Sequence, residues 1–246
     1  MRTIDFSDYK FRCSMLGQLM VNPRNKKDSL SVTTRTYLQE LHKEELFGFR
    51  NEITTLEMQK GVLVEDDAIE VVSEVHNRPI ESMYTKNERF FENEFICGTP
   101  DIYVEDDVLI DIKNSFTMKT FPMYYTGDLY SYNKDYYWQL QGYMELTDMK
   151  ESMVARCLLD TPEEILQGIR FKKAKELNLI DVGSLPVEVE EEILRQHTFG
   201  QYPAQLRVVE IPVQHNEEHI EQLKERIALC RDYMNFLSDH LSNKLS

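Results

Sequence analysis

An α/β fold, in which a mixed central β-sheet is flanked by helices, is the architecture that this sequence predicts. Helical patterns come first, a β-hairpin follows, and helix, strand, helix, strand and helix then alternate, an order typical of a mixed sheet covered by helices. The chain has 246 residues, 41% of them hydrophobic, which is enough for one sizeable core. No internal repeat or low-complexity linker interrupts it. We therefore expect a single domain over residues 1–246.

The charge of the chain limits its partners. A formal net charge of −15 and an isoelectric point of about 4.9 argue against loose, non-specific binding of nucleic acid, which depends on neutralising phosphates. A local basic groove is compatible with this average, because net charge does not describe individual sites.

The sequence indicates neither a membrane partner nor an export route. No apolar run approaches the ~20 residues that span a bilayer, and the stretch MRTIDFSDYKFRCSM lacks the apolar core of a signal peptide. The cysteines are scattered, without a CxxC pair, so we expect reduced thiols. They are Cys13, Cys97, Cys157 and Cys230. We expect a cytoplasmic protein.

Two helices are predicted in the N-terminal third. The first begins near Ser31 or Thr33 and ends at Gly48, and the second runs from about Ile53 to Val75. One face of the second helix carries small and apolar residues with one acid at helical spacing. This face consists of Gly61, Glu65, Ala68, Ile69 and Val72. Most helix acids are solvated, so an exposed carboxylate is the simpler alternative to a function.

A β-hairpin follows, formed by ENEFICGTPDIYV and VLIDIKNS with a turn at residues 105–107. Beyond it lies an aromatic-rich insertion at residues 116–136, with Pro122 and Gly127 as breakers. A helix is then predicted at about 134–147, and it includes Trp138, which we expect in the core.

The last third alternates strands and helices. SMVARCLLD is a strand, and the next helix is predicted to have Thr161 as its N-cap, with Glu164 closing a capping box. A helix at about 187–196 precedes the strand QLRVVEIPVQ, whose Pro212 indicates an edge position. The last predicted element is an amphipathic helix from about 217 to 240.

Asp111 and Lys113 stand among isoleucines in the second hairpin strand. Because side chains alternate across a strand, these two project to one face while Ile110 and Ile112 project to the other. Asp101 follows a Gly-Thr-Pro bend and can lie beside them across the hairpin. Two carboxylates one strand apart form a site for Mg²⁺, which prefers oxygen ligands, and the carbonyl oxygen of Ile112 can add a further ligand.

Lys113 beside such an ion would supply positive charge where negative charge develops on a phosphate or an attacking hydroxide. Desolvation and the metal would lower its pKa, whereas the carboxylates would raise it, and the sequence leaves this balance open. The alternative is an exposed strand face on which Asp111 and Lys113 form a surface salt bridge.

The pattern GTPD101, nine residues, then D111-I-K113 resembles the core motif of the PD-(D/E)XK nuclease superfamily. Downstream, WQLQGYM contains Gln139-x-x-x-Tyr143, which is similar to the QxxxY motif of the RecB-like and phage lambda-exonuclease branches. Upstream, KGVLVEDDA resembles the G-x-x-x-E-x-x-A helix that supplies a first acid, here Glu65. The resemblance implies a restriction-endonuclease-like core.

The segment RCSMLGQLM, at residues 12–20, is similar to the N-terminal arginine-plus-serine segment of the lambda-exonuclease (YqaJ-like) group. The corresponding groups of that family bind the DNA terminus, so the resemblance implies the same role for Arg12 and Ser14. The four motifs stand in the family's order and cover residues 12 to about 160. The strand and helices of 161–246 carry no recognised motif.

The resemblance implies a role for each site residue. The metal ligands would be Asp101, Asp111, Glu65 and the carbonyl of Ile112, holding one or two Mg²⁺ or Mn²⁺ ions. The catalytic residues would be Lys113, Gln139 and Glu65, and the DNA-binding residues Arg12, Ser14 and Tyr143. Lys113 would help to position or activate the attacking water, and Gln139 would orient the site. Tyr143 would support its helix or touch DNA.

The implied activity is metal-dependent hydrolysis of DNA phosphodiester bonds, as a 5′-to-3′ exonuclease on double-stranded ends in phage-type recombination. The family also implies a single-strand annealing protein as partner and a ring-shaped homo-oligomer, in the cytoplasm of a bacterial or phage-infected cell. An endonuclease, a single-strand nuclease and a catalytically inactive DNA-binding module on the same fold are the alternatives. The clustered cysteines of iron–sulfur relatives are missing, so no such cluster is expected.

The aromatic insertion is longer than a minimal core needs. Its tyrosines could stack on unpaired bases, at about 1–3 kcal/mol each, or belong to a packed or dimer-facing loop. The tyrosines concerned are Tyr124, Tyr125, Tyr130 and Tyr132.

Two further patterns have simpler explanations. HNEEH, at residues 215–219, formally matches an inverted zinc-protease motif, but Asn216 is the predicted N-cap of the last helix and leaves His215 outside it. RFKKAK, at 170–175, could contact phosphates or form a solvated helix face.

Overall fold

The structure, a computed structural model, describes residues 4–49 and 55–245. Its strands are β1 (Phe11–Arg12), β2 (Phe91–Glu92), β3 (Ile96–Gly98), β4 (Ile102–Val104), β5 (Val108–Asn114), β6 (Glu151–Cys157) and β7 (Val208–Gln214). Its α-helices are α1 (Leu16–Leu19), α2 (Val32–Phe47), α3 (Leu56–Leu63), α4 (Glu65–Val75), α5 (Leu129–Tyr132), α6 (Lys134–Thr147), α7 (Glu163–Glu176), α8 (Val187–His197) and α9 (Glu217–Leu245). Short 3₁₀ turns lie at Cys13–Met15, Ile80–Ser82, Met118–Thr120, Val182–Ser184 and Ala204–Leu206.

The predicted mixed α/β architecture is confirmed, with its strands divided between two sheets. One sheet has the order β4-β5-β6-β7, in which β5 and β6 are parallel and the outer pairs are antiparallel. The other has the order β1-β3-β2. β7 lies at an edge, as Pro212 predicted, because a residue without an N–H is tolerated where its nitrogen faces no neighbouring strand.

Helix α6 connects the parallel strands β5 and β6, which need a crossover of this kind. Its predicted bounds are confirmed. The Asn133 side chain caps its start by accepting from the backbone N–H groups of Asp135 and Tyr136 at 2.9 and 3.1 Å. Asp148, with a φ of 58°, ends it in the left-handed region.

The four-stranded sheet separates two buried clusters. On one face Ile110 and Ile112 pack with residues of α4, including Ala68 and Val72. On the other face Leu109 joins the larger cluster, which α1, α2, α6 and α9 complete. Helix α6 therefore packs over the face toward which the acid of β5 projects.

The helix predicted from Ile53 to Val75 is divided in two. α3 and α4 meet at Val64, whose φ of −108° and ψ of 17° leave the helical region, and no glycine or proline marks this break in the sequence. Glu65 therefore opens α4, where the helix dipole favours a carboxylate. The predicted start at Ile53 lies outside the described residues.

The first strand of the predicted hairpin is broken as well. β3 and β4 belong to different sheets and are separated by residues 99–101. The hairpin of β4 and β5 turns at 105–107 as predicted, with Asp106 in the left-handed region at a φ of 58°.

The capping box predicted at Thr161 and Glu164 is wrong. Pro162 takes the N-cap position of α7, and no side chain caps that helix. Thr161 lies one residue upstream, where its Oγ1 is 2.9 Å from Nδ1 of His197.

The predicted caps of α2 and α9 are confirmed. Ser31 caps α2 by accepting from the Thr34 N–H, and Gly48 ends it at a φ of 64°. Asn216 caps α9 by accepting from the His219 N–H at 3.0 Å, and α9 runs beyond its predicted end to residue 245. Within the described ranges, no helix combines the length and the apolar character needed to cross a membrane.

Candidate active site

Asp111 and Lys113 share one face of β5, as predicted. Lys113 Nζ lies 2.6 Å from Asp111 Oδ2, and Ile110 and Ile112 are buried on the opposite face. The Asp111 side chain is 1% exposed and that of Lys113 is 25% exposed. A surface salt bridge, the alternative considered for this pair, is therefore excluded.

Asp101 joins this pair by taking the place of a backbone acceptor. The β4–β5 ladder ends with Ile102 opposite Ile110, and two residues further along the partner of Ile112 would be Pro100, whose carbonyl accepts from Asn87 Nδ2 at 3.0 Å instead. The Ile112 N–H donates to Asp101 Oδ2 at 2.6 Å. Because the N–H and C=O of one residue point to the same edge of a strand, the Ile112 carbonyl faces the edge that Asp101 occupies.

Gln139 reaches the site from α6. Its Nε2 donates to Asp111 Oδ1 at 2.9 Å and to the Tyr143 hydroxyl at 3.2 Å, one helical turn away. The Tyr143 hydroxyl in turn donates to the carbonyl of Thr99 at 3.1 Å. This chain of hydrogen bonds ties α6 both to β5 and to the bend that precedes Asp101.

Tyr143 is buried. Burial and the nearby Asp111 raise the pKa of the Tyr143 hydroxyl, which therefore stays protonated and donates to the bend. The hydroxyl thus supports the packing of α6, and contact of Tyr143 with DNA stays a prediction.

The glycines of GTPD and QGYM allow this close packing. A Cβ added at Gly98 would lie 2.8 Å from Tyr143 Cε1. A Cβ added at Gly142 would lie 2.6 Å from Leu16 Cδ1 and 2.9 Å from Cys13 Sγ. Both glycines thus let the 3₁₀ turn at residues 13–15 and helix α6 approach the bend closely.

Glu65 lies at the margin of the site. Its Oε2 accepts a hydrogen bond from Lys86 Nζ at 2.7 Å, and its side chain is 21% exposed. Glu65 contributes to the raised pKa of Asp101, so it stands near that acid. An ion pair with an exposed lysine contributes only about 0–1 kcal/mol, so Glu65 can exchange Lys86 for another cation.

Asp101 resists ionisation in this setting. Burial raises its pKa to about 7, Asp111 adds to this effect, and Lys113 opposes it. Two carboxylates in one buried site cannot both ionise easily. The site therefore favours an added positive charge.

Between burial and the carboxylates, the carboxylates together have the larger effect on the pKa of Lys113. Burial by itself would lower its pKa, but Asp111 and then Asp101 raise it, and the resulting pKa lies above its ordinary value. Lys113 is thus a charged ammonium group at neutral pH.

Two observations fit a divalent cation at the carboxylates. Asp111 Oδ2 is buried and accepts no hydrogen bond of suitable geometry, although Lys113 Nζ lies 2.6 Å away. Asp101, as described, favours a neighbouring cation. Glu65 is paired with Lys86, and among the side chains that the structure describes no three His, Cys, Asp or Glu groups are close enough together to hold an ion. The fit thus rests on Asp101 and Asp111.

Arg12 and Ser14 are both exposed beside this site. Arg12 lies on β1, opposite Cys97 of β3, and the intervening Cys13 is buried next to Gly142. Burial, followed by Cys97 and Asp111, raises the pKa of Cys13, so this segment lies within electrostatic reach of Asp111. Contact of Arg12 and Ser14 with DNA stays a prediction.

Sequence reasoning missed three residues around the site, namely Lys86, Tyr136 and Arg156. Lys86 pairs with Glu65, Lys113 Nζ lies 5.6 Å from the Tyr136 ring centroid, and Arg156 stands opposite Lys113 in the β5–β6 register. The pairing of β5 with β6 places Arg156 beside Lys113. This register of two parallel strands cannot be predicted from the sequence of either strand alone.

Three of the four tyrosines singled out in the aromatic insertion contact other aromatic rings. The ring centroids of Tyr125 and Tyr132 are 4.7 Å apart, and those of Tyr130 and Tyr137 are 4.9 Å apart. Tyr124 is 90% exposed and is the one of the four predicted tyrosines that is best placed to stack on a base.

The other two patterns follow their simpler explanations. His215 precedes α9 and lies 3.3 Å from Glu145, outside the helix that a zinc motif requires. In RFKKAK, Arg170 is bound by Glu163 and Glu190. Trp138 is buried, as expected.

Comparison with solved structures finds exonucleases. A phage-related exonuclease from Haemophilus somnus 129PT has a TM-score of 0.74 and 27% identity, over 95% of this chain and 97% of that one. An alkaline exonuclease from Laribacter hongkongensis has a TM-score of 0.59 and 14% identity, over 97% and 94%. The same enzyme in complex with dAMP gives 0.56 and 14%, over 96% and 93%. No family model and no curated protein matches the chain.

The fold, the order of the motifs and the meeting of Asp101, Asp111, Lys113 and Gln139 match the PD-(D/E)XK class that the sequence predicted. The likeness to the phage-related exonuclease confirms the predicted resemblance to the lambda-exonuclease (YqaJ-like) branch and supports nuclease activity. The alkaline exonuclease, at 14% identity, shares the fold.

Proposed function

We propose that this protein is a metal-dependent deoxyribonuclease that degrades double-stranded DNA from its ends in the 5′-to-3′ direction. The observation that carries the proposal is the meeting of a buried carboxylate, Asp111, and a half-buried one, Asp101, with the Lys113 ammonium. A site that only binds DNA has no physical need to place two mutually repelling acids beside a phosphate. The likeness to exonucleases supports the same conclusion.

The chemistry follows from the charges of the site. In phosphodiester hydrolysis a water oxygen bonds to phosphorus in line with the P–O bond that breaks, and the departing sugar oxygen gains a proton. Negative charge grows on the phosphate oxygens meanwhile, and the Lys113 ammonium is held where it can stabilise this charge. Gln139 fixes Asp111 through its hydrogen bond to Oδ1, which leaves Oδ2 directed into the site.

Asp101 and Asp111 would hold a divalent metal ion, with the Ile112 carbonyl and Glu65 as further oxygen donors. Mg²⁺ or Mn²⁺ bound there would neutralise phosphate charge and favour ionisation of a water molecule. Glu65 would first have to leave Lys86. We expect Mn²⁺ binding by calorimetry in the wild type and its loss in Asp111→Ala. A wild type that binds no divalent ion, even with DNA present, would contradict the metal site.

The substrate and its setting are inferred from the same relatives. The Laribacter hongkongensis enzyme was solved with dAMP, which supports DNA as the substrate here. Arg12 and Ser14, exposed beside the site, would bind the DNA terminus. We also propose a homo-oligomer, a single-strand annealing partner and a cytoplasmic location in a bacterial or phage-infected cell.

End dependence provides the test. Linear duplex DNA, labelled at its 5′ or 3′ end, and closed circular DNA of the same sequence are incubated with the protein and Mg²⁺ or EDTA. We expect loss of the linear form alone, early release of the 5′ label, and no reaction in EDTA. Cutting of the circle would indicate an endonuclease, and no cutting of either would indicate an inactive binding module.

A further inference from the structure

Arg156 carries a buried positive charge beside the site. It lies on β6 opposite Lys113 of β5 in the parallel register, and it is 8% exposed. Because side chains alternate along each strand, paired residues of neighbouring strands project to the same face. Arg156 therefore stands on the face that bears Asp111 and Lys113.

Every contact of the Arg156 guanidinium group is with a neutral group. Nη1 donates to the Tyr136 hydroxyl at 3.2 Å, and Nη2 donates to Ser115 Oγ at 2.8 Å and to the Thr120 carbonyl at 3.3 Å. Nε is buried and donates to no acceptor. No ion pair within the ranges 4–49 and 55–245 involves Arg156.

A buried arginine without a carboxylate is unusual, since buried charges are ordinarily paired. Arg170 shows the ordinary state, because its side chain is 12% exposed and both Glu163 and Glu190 bind it. The one carboxylate that faces Lys113 at 2.6 Å is that of Asp111. The charge of Arg156 is thus left without a balancing anion next to the site.

The two cations flank one ring. The Arg156 guanidinium lies 5.8 Å from the Tyr136 ring centroid, and Lys113 Nζ lies 5.6 Å from it. The Lys113 side chain is 25% exposed, so this group of residues has an opening to solvent. An arginine presents a planar fork of donors that suits phosphate oxygens.

We propose that Arg156 forms a subsite for a phosphate of the DNA backbone next to the phosphodiester that is cut, beside the Lys113 ammonium that faces the cut phosphodiester itself. This inference rests on the proposed function, because DNA is the molecule that brings the phosphate. The phosphate supplies the negative charge that Arg156 lacks, which accounts for an arginine without an acid partner at this position.

The salt dependence of DNA binding tests the charge contact. Binding of a short end-labelled duplex is measured in EDTA from 50 to 300 mM salt for the wild type, Arg156→Gln and the matched control Arg170→Gln. Loss of one phosphate contact should lower the slope of log K against log salt by about 0.9 and weaken binding about tenfold. Arg170→Gln should leave the slope unchanged, because two glutamates already neutralise that arginine.

A second measurement locates the phosphate. Single phosphates of the duplex are replaced in turn by uncharged methylphosphonates. In the wild type, one replacement beside the cut should weaken binding, and Arg156→Gln should be insensitive to that replacement alone. If Arg156→Gln does not fold, Arg156→Lys serves instead, and its sensitivity at the same position should fall because lysine lacks the fork of donors.

Either of two results would overturn the subsite. The first is a variant with the wild-type salt slope and the wild-type methylphosphonate profile, which would leave Arg156 as a purely structural clamp on Ser115 and Thr120. The second is a wild type that binds no DNA, which would overturn the proposed function as well. A wild type that binds DNA as described but never cuts it would contradict the nuclease alone.

Discussion

At the scale of single residues, the site depends on a few positions where only one residue type fits. Pro100 has no N–H to donate to the Ile112 carbonyl and so ends the β4 ladder, and the Ile112 N–H donates to Asp101. Gly98 and Gly142 leave no room for a side chain between α6 and its neighbours. These positions belong to the motifs recognised in the sequence, but only the packing in the structure explains why each of them has this residue type.

Gly142→Ala is predicted to destabilise the protein. The new Cβ would lie 2.6 Å from Leu16 Cδ1 and 2.9 Å from Cys13 Sγ, and overpacking of a core typically costs about 1–3 kcal/mol. Chemical denaturation measures this loss. The matched control is Gly168→Ala, in a helix where the nearest atom is 4.0 Å from the added Cβ, and it should stabilise by up to about 1 kcal/mol. Equal effects of the two substitutions would contradict the packing described.

At the scale of secondary-structure elements, Lys60 fastens α3 to the ends of β5 and β6. It is 1% exposed, and its Nζ donates to three backbone carbonyls, those of Ser115 and Phe116 at 3.1 Å and of Leu159 at 2.6 Å. α3 leads directly into Glu65. Lys60, the lysine of the motif KGVLVEDDA, thus fixes the helix that precedes Glu65 against the ends of β5 and β6. Helical periodicity does not predict this role.

Lys60→Met should therefore lower the free energy of unfolding. Methionine fills a similar volume but leaves three buried carbonyls without their donor, and each unsatisfied group costs about 1–3 kcal/mol. Denaturant titration measures the change, with the exposed Lys119→Met as control. A loss no larger than that of the control would show that Lys60 does not fasten these elements.

Lys60 also predicts a dependence of stability on pH. Burial lowers its pKa to about 8, although Asp160 opposes this effect, while a lysine in an unfolded chain has a pKa of about 10.4. Between these values the unfolded chain keeps a proton that the native state has released, so raising the pH stabilises the native state. The stability gap between wild type and Lys60→Met should widen from about pH 8 to about pH 10. A constant gap would contradict the lowered pKa.

The bounds of the helices were predicted better than the breaks between neighbouring elements. The bounds of α6 and the caps of α2 and α9 follow from side chains adjacent in sequence, such as Ser31 and Asn216. The break at Val64 has no such local marker. The split between β3 and β4 falls at the Gly-Thr-Pro bend, but the bend does not reveal that the two strands belong to different sheets. Both features depend on tertiary packing, which overrides the local helical and strand patterns.

At the scale of the whole molecule, an acidic protein carries a local cationic site. The chain has a formal net charge of −15, yet Lys113 and Arg156 stand side by side on one sheet face, and Arg12 is exposed beside it. Composition described the surface average correctly, but it could not locate this exception. Residues from three distant segments, 12–14, 98–113 and 136–156, meet only in the folded chain.

The most direct test of the account is the cleavage rate of Lys113→Ala. Single-turnover hydrolysis of an end-labelled duplex is measured with Mg²⁺ for the wild type, Lys113→Ala and Lys86→Ala, together with DNA affinity in EDTA. Loss of the ammonium from the buried pair should slow cleavage at least about 10²-fold, with DNA affinity reduced much less than the rate. Lys86→Ala, which removes an exposed lysine, should stay within a few-fold of the wild type. If Lys113→Ala cleaves at the wild-type rate, the site described here is not the catalytic centre.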